Sequence, residues 1–190
     1  MTLLRFCLAT CCLLAGFSLC AQAGAGMEWK RYSDPDQRFV IQHPGTTKAE
    51  ASADTSPGLL SRVGFNFEQP FKNGDDAGSL KFSFQVAVWK NTNHLTAEAW
   101  VKQHENPQSV LDSHSIHLAE RTGIAVRTTN LAWTCLKIFV TDADYIYELR
   151  YPDIAAHKLL LPDDIRSYWA ATFTQMRESF RFATEADRSR

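Results

Sequence analysis

The alternation of apolar and polar positions is clearest over residues 80–89. Leu80, Phe82, Phe84, Val86 and Val88 alternate with Lys81, Ser83, Gln85, Ala87 and Trp89. A period of two places the first set on one face of a strand and the second on the other. One face is apolar and the other mixed, which predicts an antiparallel sheet buried well on one side. Residues 63–67 alternate in the same way. Residues 38–42 predict a short strand, closed by His43-Pro44-Gly45 as a turn. Residues 46–57 are small, polar and without period, and predict a surface loop. Residues 72–79 gather Asn, Gly, Asp and Ser and predict a turn.

The period then changes. Thr96 is placed to cap a helix, with Leu95 before it and Trp100 at the spacing of a hydrophobic staple. Asn106-Pro107 stops that helix, because a residue before proline resists helical geometry. Residues 115–118 and 124–128 predict strands around a break near Gly123. Residues 133–141 and 145–151 predict a hairpin turning at 142–144. Pro162, Asp163 and Asp164 suit the start of a last helix. Ile165, Tyr168, Trp169, Thr172, Phe173, Met176 and Phe180 follow at steps of three and four, one continuous buried stripe. Burying an aromatic such as Trp169 or Phe173 stabilises by about 1.5–3 kcal/mol, so this helix is expected to dock on the sheet. Strands, a helix, consecutive strands and a closing helix make an α+β fold: an antiparallel β-sheet flanked by helices.

The amino terminus has a different character. Arg5, an apolar run from Phe6 and the small-x-small exit Ala21-Gln22-Ala23 predict a secretory signal peptide over residues 1–23. An uncleaved membrane anchor is the first rival. A lipoprotein at Cys20 is the second, against which Leu19 stands where a small residue is wanted. Cleavage leaves residues 24–190 as a single α+β domain. It removes Cys7, Cys11, Cys12 and Cys20 and leaves Cys135 alone, so no internal disulfide is expected. A domain of this size buries roughly 70% of its unfolded surface without such staples. An exported protein without disulfides suits the bacterial periplasm, with an extracellular or membrane-anchored location as the alternative.

Charge and composition narrow the function. The chain has 190 residues, is 45% hydrophobic and carries a formal net charge of -1. That is globular composition, with no basic surplus to bind nucleic acid. After signal cleavage no hydrophobic run is long enough to span a membrane.

Two phrases carry a family resemblance. Phe39-Val-Ile-Gln-His-Pro44 is similar to the first-strand phrase of the superfamily of the photosystem II subunit PsbP and the Ran-binding protein Mog1. Its exported bacterial relatives include the DcrB-like and DUF1795-type proteins. Phe173-Thr-Gln-Met-Arg-Glu-Ser-Phe180-Arg-Phe182 resembles that superfamily's closing helix and Ser-Phe-x-Phe tail. The chain departs from the pattern at His43, where the family has tyrosine. It also lacks a tryptophan after Pro44 and has a long loop after Gly45. The resemblance implies an antiparallel sheet flanked by helices, as an α/β/α sandwich. It also implies a domain that binds or scaffolds proteins, and it transfers no catalytic residues.

Candidate chemistry is sparse. Cys135 sits mid-strand, alternating with Trp133, Lys137 and Phe139, where a buried, inert thiol is the common case. His114 and His117 fall on opposite faces if strand-borne. His104-Glu105 lacks the second histidine of a zinc-protease motif. The acidic pairs Asp75-Asp76, Asp142/Asp144 and Asp163-Asp164 suit turns and a helix start. Glycine-rich nucleotide loops and the G-x-S-x-G elbow are absent from the sequence. Trp89, Trp133, Tyr145, Tyr147 and Tyr151 make either core or an exposed platform. The leading expectation is an exported, non-enzymatic domain with a protein partner, contacted through Trp89, Trp133, Cys135 and Lys137. No catalytic residue, metal site or cofactor is expected. The alternative is a small-ligand pocket or enzyme built from Cys135, Lys137, His117 or Arg127.

Overall fold

A computed structural model describes residues 27–73, 76–130, 133–142, 144–156 and 161–188. The expected signal peptide therefore lies outside the described residues. The strands are β1 (Trp29–Ser33), β2 (Phe39–Pro44), β3 (Ala49–Ala51), β4 (Leu59–Asn73), β5 (Asp76–Lys90), β6 (Val110–Leu118), β7 (Arg121–Asn130), β8 (Trp133–Asp142), β9 (Tyr145–Pro152) and β10 (Arg181–Phe182). The helices are α1 (Ala97–His104), α2 (Asp163–Ser179) and α3 (Glu185–Arg188). Seven strands form one antiparallel sheet in the order β3-β4-β5-β9-β8-β7-β6, and β1-β2-β10 form a second. The fold is α+β.

Alternation assigns the two faces of the large sheet. Val63, Phe65 and Phe67 of β4 and Phe82, Phe84, Val86 and Val88 of β5 share one face with Tyr147, Leu149 and Tyr151 of β9. Trp169, Phe173 and Met176 of α2, and Phe39 and Ile41 of β2, cover that face and are buried with it. The stripe on the closing helix therefore docks as its spacing predicts. Tyr168 is the exception: it stands 37% exposed at the margin of the stripe, edge-on to Trp169. On the opposite face, α1 packs Ala97, Trp100 and Val101 against Val126, Phe139 and Ile146.

Local signals explain α1. Thr96 Oγ1 accepts from the Ala99 amide at 3.2 Å, the expected N-cap. Leu95 and Trp100 both join the cluster beneath the helix, and the helix ends at His104, ahead of Asn106-Pro107.

Several boundaries differ from expectation. The expected loop contains β3, which pairs Ala49 with Phe65. The expected turn over 72–79 is largely strand, because β4 and β5 continue their ladder to Asn73 opposite Asp76. His43 and Pro44 finish β2 and the chain turns one residue later. Gly123 does not break a strand. It lies inside β7 opposite Val140, and a Cβ there would stand 2.3 Å from the Phe139 carbonyl oxygen. The break falls at Ala119-Glu120, whose φ angles of 49° and 61° make the tight β6–β7 turn. Strands β1 and β10 were not foreseen.

Candidate functional site

The residues expected to contact a partner share the α1 face of the large sheet. Trp89 on β5 is level with Ile146, while Lys137 on β8 is level with Arg150. Four residues along β9 separate those levels, about 13 Å at the rise of a strand. Cys135 lies two residues further, between Thr128 and Pro152, and Trp133 begins β8 opposite Asn130. They form a line on one face, and Trp89 stands apart from the other three.

Trp89 and Lys137 are engaged in holding α1. The Trp89 indole N–H donates to Glu148 Oε2 at 3.0 Å, and its ring lies 6.1 Å from Trp100 of the helix. The Arg62 guanidinium sits 5.7 Å from the centre of the Trp89 ring. Lys137 Nζ donates to both carboxylate oxygens of Glu105, at 2.8 and 2.7 Å, just past the last turn of α1. Cys135 is a half-buried free thiol. Tyr147 and Tyr151 belong to the core under α2, where burial pushes both phenols above their usual value. Trp89 and the two tyrosines thus divide between two covered faces, and the two tyrosines are not a platform.

The groups named for a ligand pocket do not converge. His117 pairs with Thr122 beside the β6–β7 turn. Arg127 is level with Leu136, on the α2 side, and binds Asp112 at 3.2 Å and Asp153 at 3.4 Å. Of the acidic pairs, Asp142 holds Arg121 at 2.9 Å, Asp163 holds Arg166, and Asp75 lies outside the described residues. Among the described residues no group of three or more His, Cys, Asp or Glu side chains is placed to hold a metal. No described helix is long and apolar enough to cross a membrane.

Two open concavities are present instead. One, of about 520 Å³, lies between the first turn of α1 and strands β6, β7 and β8, and its walls include Thr96, Glu98, Ser115 and Thr122. The other, of about 480 Å³, lies on the β4–β5 ribbon between Asn66, Glu68, Lys81 and Ser83. Trp89, Trp133, Cys135 and Lys137 line neither of these two. Sequence reasoning missed Glu98 and Glu148, and it weighed Glu105 only as part of a metal motif, not as the partner of Lys137. Glu148 could have been found from alternation, since Ile146, Glu148 and Arg150 share a face. Its pairing with Trp89 depends on β5 lying beside β9.

No family model matches the chain, and no curated protein matches it. Among solved structures it is similar to cyanobacterial PsbP (CyanoP) from Synechocystis sp. PCC 6803. The two are 12% identical with a TM-score of 0.49, over 89% of this chain and 98% of that one. At this identity the likeness concerns chain path and assigns no activity.

Proposed function

We propose that the chain is an exported, non-enzymatic protein-binding domain of the periplasm. The single observation that carries the binding part of this reading is β6. It is nine residues long, stands at the end of the large sheet and, among the described residues, pairs with β7 alone. A long open edge is a template for another chain, and proteins that do not use such an edge blunt it. The other described edges are shorter or carry a proline or a basic residue. β3 has three residues, β4 beyond it carries Pro70, β1 carries Lys30 and Arg31, and the part of β5 that precedes its pairing with β9 at Gln85 carries Lys81. The residues 110–118 of β6 contain no proline, lysine or arginine, and past a register shift between Val110 and Asp112 the pairing with β7 is regular from Asp112 to Leu118. Export rests on the signal pattern of residues 1–23. The phrases at Phe39–Pro44 and at 173–182 support kinship with the superfamily of PsbP and Mog1, whose exported bacterial relatives include the DcrB-like and DUF1795-type proteins.

Fractionation of a bacterium expressing the full chain tests the reading. The expected product is periplasmic and begins at Gly24. A cytoplasmic product that retains Met1 overturns export.

A further inference from the structure

We propose that β6 receives an extended segment of a partner protein as an added strand, and that this segment lodges one lysine or arginine in the concavity beside Glu98. The proposal rests on the protein-binding reading above and names its surface and ligand chemistry.

Strand addition needs an open edge for the main chain and hollows beside it for alternate side chains. Both are present here. Positions 112–115 of β6, past the register shift at 110–112, are exposed and pair regularly with β7. Ser113 and Ser115 of that strand also line the 520 Å³ concavity, so the hollow begins at the edge itself. A strand added at the usual spacing of about 4.8 Å would carry every second side chain over it.

The walls select the side chain. Thr96, Ser113, Ser115, Thr122 and Thr141 offer hydroxyl oxygens, His114 lies at the strand edge of the hollow, and Glu98 offers its one carboxylate. Glu98 is exposed and makes no ion pair among the described residues. The neighbouring cations of β7 are already taken: Arg121 by Asp142, and Arg127 by Asp112 and Asp153. An unpaired carboxylate among hydroxyls favours a cation with several N–H donors. A second copy pairing through its own β6 would bring no lysine or arginine, so the fit favours a different chain.

The probe is a synthetic peptide, Ser-Val-Thr-Lys-Thr-Val-Ser-Gly, and its counterpart with Glu in place of Lys. Fluorescence anisotropy reads affinity, and amide hydrogen exchange locates the bound peptide. The lysine peptide should bind at least tenfold more tightly and protect the amides of 111–117, leaving those of α2 unchanged. Glu98→Gln should abolish the preference, and Glu98→Lys should reverse it. Equal affinity for the two peptides, or protection away from β6, overturns the proposal. Self-association that protects β6 without peptide overturns the choice of a different chain. A partner found on another face would remove this proposal and leave the protein-binding reading standing.

Discussion

Lys137 Nζ lies 2.7 Å from Glu105 Oε2, and this contact ties the end of α1 to the middle of β8. Both side chains are largely screened from water, at 15% and 13% exposure. A half-buried charge that loses its partner keeps its desolvation cost. Lys137→Met or Glu105→Ala is therefore expected to cost about 1–3 kcal/mol in urea unfolding. The double variant should cost less than the sum of the two. Strict additivity would show that the pair is not coupled.

Gly123 and Gly64 give a paired prediction. A Cβ on Gly123 would stand 2.3 Å from a backbone oxygen and 2.5 Å from Val140 Cγ1. Overpacking of that kind costs about 1–3 kcal/mol or more. A Cβ on Gly64 meets nothing closer than 4.0 Å. Gly64→Ala is expected to be neutral or to stabilise by about 0.5–1 kcal/mol, through lower unfolded-chain entropy. Thermal unfolding of the two variants should move in opposite directions or differ clearly in size.

The β6–β7 turn places two L-residues at positive φ, Ala119 at 49° and Glu120 at 61°. Asn-Gly is the pair that such a two-residue hairpin turn prefers. The double change Ala119→Asn, Glu120→Gly is expected to raise stability by about 1 kcal/mol, since a residue forced left-handed costs about that much. A fall in Tm would contradict this reading of the turn.

His43 gives a pH dependence. It is buried against Phe65, with Nδ1 3.0 Å from Thr47 Oγ1, and burial pushes its imidazole below the usual 6.5. The unfolded chain takes up the proton near 6.5 and the folded chain only at lower pH. Between those points the unfolded state holds more protons, so stability rises with pH and is lost as pH falls. Tm should be lower at pH 5 than at pH 7.5, and His43→Phe should flatten that slope. An unchanged slope in the variant would assign the dependence elsewhere.

Elements with one buried face were legible because burial imposes a period. The run from Leu80 to Val88 and the stripe from Trp169 to Met176 are examples. Elements whose stability comes from a distant strand were not. Residues 72–79 have turn composition, yet most of them are strand because β4 and β5 pair over their whole length. Gly123 reads as punctuation, but its role is the close approach of β8. Alternation grouped Cys135 with Lys137 along one strand, but that Trp89 shares their face follows only from the pairing of β5 with β9 and of β9 with β8. Their partners were hidden because Glu148 and Glu105 reach them only through strand pairing and helix docking.

Site-specific photocrosslinking in the exporting cell bears most directly on the binding surface. A photoreactive residue at Ser115, on the open edge, is compared with one at Gln175, on the exposed side of α2. The account predicts a discrete crosslinked protein from position 115 and none from position 175. Crosslinks of equal yield from both positions, or none from 115, would contradict it.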